Sequence, residues 1–268
     1  MKLHLAGSIC GLLAGSVILL LGGETVSPKK ADVGASTGRK MTALYTHSPI
    51  IMDGILNDDA WKKAKACRLS LPVNNFGTMP ESYVKAIGNK LREGGEARAT
   101  WDDNFFYVGI RFEDSDVVAT GKDDQDKHFA LGDLVEVFLK PENETWYWEL
   151  YATPHNKKTC YFFPSRGRGI FPECASTPCA EMKVAATVDG TLNNWLDRDR
   201  SWSAEMAVPI KLLTERGVKF GPGAAWRILV SRYNYSRYLP RTELSATPRL
   251  SVANYHLLEE YAWLSLEK

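Results

Sequence analysis

The chain has 268 residues, 44% hydrophobic and 24% charged, with 33 Lys and Arg against 32 Asp and Glu. A net charge of +1 supplies no broad field for nucleic acid or an anionic membrane surface, so neither is expected as a partner. Once an N-terminal export segment is set aside, the length suits one domain that buries its core without staples.

Lys2 and the apolar run Leu3 to Gly23 read as a secretory signal peptide, residues 1–23, and predict a secreted, periplasmic or envelope location. The run is almost long enough to cross a bilayer, so an uncleaved anchor is the rival reading and the one expected membrane contact. Residues 24–40 are rich in Ser, Gly, Lys and Ala with almost no large apolar residue, which predicts a linker. The globular domain is then 41–268. Early in it, IMDGILNDDAW (Ile51 to Trp61) carries an Asp-Gly turn, with Asn57 as the cap of a helical turn over Asp58 to Lys65.

From Ala97 onward, period-two alternation predicts strands with one face on a core. Phe106, Val108, Ile110 and Phe112 share a face, as do Val135, Val137 and Leu139, then Trp146, Trp148 and Leu150, then Trp202, Ala204, Met206 and Val208. The last of these strands ends at Pro209, which has no N–H to continue a ladder. Ile210 to Glu215 predicts one more short helix, and Arg237 to Glu260 a long ordered loop before a final strand, Glu260 to Leu266. The expected fold is all-β, a two-sheet antiparallel β-sandwich of jelly-roll type with one or two short helices. Cys67, Cys160, Cys174 and Cys179 follow the export segment. In an oxidising compartment they permit three disulfide pairings, and no finger-like spacing favours zinc.

IMDGILNDDAW, ARATWDDNFFYVGIRFEDSD (Ala97 to Asp116) and GDLVEVFLKP (Gly132 to Pro141), followed by WYWELYATPHN, GTLNNWLDRDRSWSAEMAVPI and WRILVSRYNYSR, occur in the order and rough spacing of a known family. They resemble carbohydrate-binding module family 9 and its single-domain relatives over nearly all of the chain after about residue 41. The resemblance implies a β-sandwich that holds an oligo- or polysaccharide without cutting it, between two aromatic rings. The segment LSATPRLS (Leu244 to Ser251) has no Trp; the nearby aromatics are Tyr235, Tyr238 and Tyr255.

A sugar site needs aromatic faces for the C–H side of a pyranose and planar or charged groups for its hydroxyls. Tyr107, Arg111, Glu136, Tyr147, Glu149, Tyr151, Glu205 and Arg227 all fall on the non-core side of their strands and are expected to converge beneath one groove. Trp195, in an Asp- and Arg-rich loop, is a further platform candidate, whereas Trp61, Trp101, Trp202, Trp226 and Trp263 are expected to be core.

Family 9 modules can carry structural calcium, and the loop with Asp123, Asp124 and Asp126 offers the hard oxygens that this ion prefers. No organic cofactor is expected. The chain has no GxSxG elbow, HExxH helix or phosphate-binding glycine loop, so an enzyme is not expected. Two rival functions share the fold. One is a haem-binding electron-transfer module, with Met79, Met182 and His128 as available ligands; the other is an envelope structural or partner-binding domain without a sugar ligand.

Overall fold

The computed structural model describes residues 39–77, 79–167 and 181–268. The expected signal segment, all but the last two residues of the linker, and Cys174 and Cys179 lie outside the described residues. Among the described residues there are twelve strands: β1 (Lys40–Tyr45), β2 (Cys67–Arg68), β3 (Gly95–Trp101), β4 (Phe105–Glu113), β5 (Leu134–Pro141), β6 (Tyr147–Ala152), β7 (Lys158–Phe163), β8 (Lys183–Asp189), β9 (Ser201–Pro209), β10 (Trp226–Asn234), β11 (Glu243–Thr247) and β12 (Ala262–Glu267). The helices are short: α1 (Asp59–Lys63), α2 (Glu81–Ile87) and α3 (Ile210–Thr214). None in the described residues is long and apolar enough to cross a membrane.

The all-β expectation holds at the level of class, and the two-sheet antiparallel arrangement needs correction. Every strand belongs to one sheet with the path β7-β6-β5-β10-β12-β1-β3-β4-β9-β8, while β11 pairs with β10 and β2 with β3. The sheet is mixed, because β1 lies parallel to both β12 and β3, and it bends until β6 meets β8 and β9. The result is a nearly closed, barrel-like sheet. Strand periodicity reports which residues face inward but is blind to strand direction, so the parallel centre had no sequence signal.

The inward faces are those that the alternation predicted. Phe106, Val108, Ile110, Phe112, Val135, Val137, Leu139, Trp146, Trp148, Leu150, Trp202, Ala204, Met206 and Val208 belong to one buried cluster, joined by Trp101 and Trp226. Burying each large side chain contributes roughly 1.5–3 kcal/mol. Three local expectations change. Helix α1 starts at Asp59, with Asp58 as N-cap rather than Asn57 and no side-chain cap; α2, which buries nothing, lacked an apolar stripe to announce it; and the supposed loop from Arg237 contains β11.

Bending the sheet leaves two outer faces. One, across β4 and β9, is covered by the segment before and within α1. Gly109 makes room there, since a Cβ at that position would lie 2.1 Å from Leu56 and 3.1 Å from Trp61. The other face spans β7, β6, β5, β10 and β11, and is partly roofed by Leu250, Tyr255 and Tyr261.

Candidate functional site

The second outer face holds a cavity of about 990 Å³. The register places its floor: Glu136 on β5 faces Tyr151 on β6 and Ser231 on β10, while Glu149 on β6 faces Phe138 and Tyr161 on its two neighbours. Because side chains alternate across a strand, these residues project together away from the core. Tyr147 and Phe163 stack at 4.8 Å and 3° on the same face, and Tyr151 meets Tyr161 edge-on at 5.6 Å. The roof comes from the segment after β11. Tyr255 donates to the Arg232 carbonyl at 2.9 Å, Tyr261 donates to the Tyr255 carbonyl at 2.6 Å, and His256 Nδ1 shares a 2.9 Å hydrogen bond with the Tyr147 hydroxyl. In all, eight Phe and Tyr rings line the space, with Gln125, Lys127 and Arg166 also on the lining. Arg166 is paired with Glu259.

Two carboxyl groups sit at the bottom, Glu136 at 2% and Glu149 at 5% exposure. Glu136 Oε2 accepts from the Ser231 hydroxyl at 3.0 Å, and Glu149 Oε1 accepts from the Tyr151 hydroxyl. Glu149 Oε2 is buried without a hydrogen-bond partner, and His256 Nε2 stands 3.9 Å away. Burial raises the Glu149 pKa to about 7. Burial, and then the neighbouring Glu149 charge, push Glu136 well above the ordinary carboxylate range. Burial, aided by Arg166, lowers His256, which favours its neutral form. The pair therefore holds protons at pH values where a solvated glutamate would not, because two like charges out of water cannot both ionise cheaply.

The expected convergence of Tyr107, Arg111, Glu136, Tyr147, Glu149, Tyr151, Glu205 and Arg227 does not occur. Glu136, Tyr147, Glu149 and Tyr151 line the cavity. Tyr107, Arg111 and Glu205 stand on β4 and β9, the other outer face. There the Tyr107 hydroxyl donates to Asp102 at 2.8 Å, and exposed Arg111 reaches Ser201 at 3.5 Å. Glu205 is enclosed: Oε1 accepts from the Trp61 indole at 2.7 Å and Oε2 from the backbone of Asp53 and Gly54, each at 2.9 Å. Arg227 grips Glu142 through two nitrogens, at 2.6 and 3.1 Å, and lies 3.5 Å over the Trp263 ring. Trp195, 75% exposed, lies in a loop away from the cavity lining. Parity along a strand assigns a side chain to the outside, but a bent sheet has two outsides, and parity does not separate them.

Sequence reasoning missed Tyr161, Phe163, Tyr233 and His256, and named Tyr255 only as an aromatic near the segment Leu244 to Ser251. The signal for the first two was present: Tyr161 and Phe163 alternate with Cys160 and Phe162, the same period that singled out the β6 residues. Tyr255 and His256 lie outside any strand, so no periodicity marks them.

The Asp123–Asp126 loop does not gather its carboxylates for calcium. Asp126 Oδ2 accepts from the backbone of Lys122 and Asp123, each at 3.1 Å, and Asp124 lies 3.8 Å from the Lys158 ammonium, which donates to the Met182 carbonyl at 2.7 Å. Among the described residues no group of three His, Cys, Asp or Glu side chains is placed to hold a metal ion. The three candidate haem ligands do not share a pocket either: Met79 is exposed, Met182 belongs to the main core, and His128 is buried against Gly121. Of the cysteines, Cys67 is a free thiol and Cys160 is buried in the core.

Residues 51–214 match the sequence profile described as "Carbohydrate family 9 binding domain-like". No curated protein matches the chain. Among solved structures, a candidate carbohydrate-binding protein from Bacteroides uniformis is similar, with 12% identity and a TM-score of 0.63 over 85% of this chain and 99% of that one. A family 9 carbohydrate-binding module from Caldicellulosiruptor kristjanssonii, solved with glucose, is 14% identical with a TM-score of 0.51 over 85% of this chain and 96% of that one. At these identities the likeness concerns the fold.

Proposed function

The chain belongs to the carbohydrate family 9 binding domain-like family, and from that premise we propose that it is a non-catalytic protein that binds an oligo- or polysaccharide in the cavity floored by Glu136 and Glu149. The observation that carries the reading is the chemistry of that cavity: eight aromatic rings around two buried carboxyl groups. Sugar C–H faces pack on rings such as Tyr161 and Tyr233, and hydroxyls donate to carboxylate oxygens, each bond contributing roughly 1.5–3 kcal/mol before desolvation. Glu149 Oε2, lacking a partner, gains most from such a donor. The similar module from Caldicellulosiruptor kristjanssonii was solved with glucose, in keeping with this ligand class. The apolar run Leu3 to Gly23 supports export, where polysaccharides are met, and a disulfide from Cys160 would form in the same compartment.

A glycan array probed with the purified protein, followed by calorimetry on the best ligands, tests the proposal. Binding of at least one saccharide, lost in Tyr161→Ala and accompanied by no turnover, is the expected result. An array without a single binder removes the proposal; hydrolysis of a bound oligosaccharide removes its non-catalytic half.

A further inference from the structure

The buried acids among the described residues fall into two groups according to what answers their charge; Glu243, for one, accepts from the backbone of Arg92 and Glu93. Glu205 has three N–H donors, Asp114 has the buried Arg232 at 2.8 Å, and Asp116 has Arg237. Asp199 accepts from the backbone of Val117 and Thr191, both at 2.7 Å. Asp133 accepts at 2.7 Å from the backbone of Val118 and Tyr235. Glu136 and Glu149 differ from all of these: their hydrogen bonds come from the hydroxyls of Ser231 and Tyr151 alone. No Arg or Lys among the described residues makes an ion pair with either of them. These two are also the buried acids that line the large cavity.

From this we infer that the cavity takes a cationic ligand, a saccharide carrying a free primary amine, whose ammonium group sits between Glu136 and Glu149. The inference rests on the reading that the cavity holds a sugar, and it names which kind.

Three features of the site favour an ammonium over a neutral hydroxyl. A buried carboxylate oxygen without a hydrogen-bond donor, on a side chain that lines a cavity, is a costly group to leave unanswered, and a cation answers it more fully than a dipole. The raised affinity of the pair for protons, described above, is the same deficit expressed toward the smallest cation, and an ammonium competes for that place. Aromatic faces add to the effect, since Tyr151, Tyr161 and Tyr233 stand on the same face as the acids and ring faces attract cations, more strongly where water is excluded. The positive groups of the lining do not cancel this field at the floor. Lys127 is exposed to solvent, Arg166 is held by Glu259, and His256 is kept toward its neutral form by burial. A hydroxyl bonded to Glu149 would use one oxygen and leave the charge deficit standing.

The test compares three disaccharides of the same linkage by calorimetry near neutral pH: cellobiose, its diamino counterpart from chitosan, and the N-acetylated form of that counterpart. The diamino sugar should bind at least about tenfold more tightly than cellobiose, a difference of about 1.4 kcal/mol. N-acetylation, which removes the charge and adds bulk, should abolish the gain. In Glu149→Gln, shown folded by its circular dichroism, the diamino sugar and cellobiose should come within about threefold of each other. Should that variant fail to fold, the comparison of the three ligands on the wild-type protein decides alone. Cellobiose binding as well as the diamino sugar overturns the inference and leaves the saccharide site intact, as does an amine preference that survives in folded Glu149→Gln. If none of the three binds, and the array holds no binder, the inference and the saccharide reading fall together.

Discussion

The Trp61 indole donates to Glu205 at 2.7 Å across 144 positions of sequence, and the other oxygen of the same carboxylate receives the backbone N–H groups of Asp53 and Gly54. One buried side chain thus fastens the whole Ile51–Trp61 string to the middle of β9. Glu205→Ala leaves three donors unanswered and should cost about 3–5 kcal/mol of stability. Urea unfolding measures it, and a loss under about 1 kcal/mol would show that the clamp is redundant.

Gly54 and Gly217 make a matched pair. Their φ angles are +82° and +83°, but a Cβ on Gly54 would lie 2.6 Å from the Ala186 carbonyl carbon, whereas one on Gly217 meets nothing within 4 Å. Gly217→Ala should cost about 1 kcal/mol for its left-handed backbone, and Gly54→Ala at least about 2 kcal/mol more because β8 must also move. Equal midpoints for the two variants in a thermal melt would contradict this ranking.

Stability should rise on mild acidification. Glu149 has its folded pKa raised to about 7 and Glu136 moves the same way. Between the unfolded carboxylate value and these raised values, the folded state binds more protons than the unfolded one, so their contribution is full below that window and lost as pH rises through it. The slope is at most about 1.4 kcal/mol per pH unit for each proton. Melting temperatures from about pH 5 to about pH 8 should fall, and less steeply in Glu149→Gln. A variant with the wild-type slope would assign the effect elsewhere.

The two outer faces can be told apart by mutation. Tyr161→Ala should abolish saccharide binding with a modest change in the unfolding midpoint, since the ring is half-buried and lines the cavity. Arg111→Ala, on the other face, should bind as wild type. Trp202→Ala should cost about 3–5 kcal/mol by emptying the main core. Loss of binding in Arg111→Ala would move the site to the β4–β9 face.

Peptide mapping without reduction should find Cys160 bonded to Cys174 or Cys179 and Cys67 as a thiol, in keeping with the free state of Cys67. A disulfide containing Cys67 would contradict this assignment.

The sequence was most readable where one period repeats against one core. The inward sets on β4, β5, β6 and β9 were legible residue by residue because misplacing any of Phe112, Val137, Trp148 or Met206 by one position would expose it. Half of the cavity floor was legible for the same reason, through Glu136, Tyr147, Glu149 and Tyr151. What stayed hidden depends on contacts between distant segments. Alternation cannot say that Glu205 answers Trp61 while one oxygen of Glu149 is left without a donor, nor that Tyr255 folds back over β5. Both residues look alike in sequence, an acid between apolar neighbours on an amphipathic strand, and the opposite surroundings come from which segment lands on which face.

The parallel seat of β1 has a consequence for how the molecule comes to exist. Lys40 faces Trp263 and Ala43 faces Leu266, so one side of the first strand remains without a partner until the last strand arrives, more than two hundred residues later. Early in synthesis that strand is an open edge, and β10 likewise waits for β12 along Trp226 to Ile228. Such long-range closure makes for slow folding and prolonged exposure of pairing edges. A chain shortened by its final seven residues, and so without β12, would thus lose the keystone of its sheet and present two sticky margins, a recipe for aggregates rather than for a slightly smaller protein.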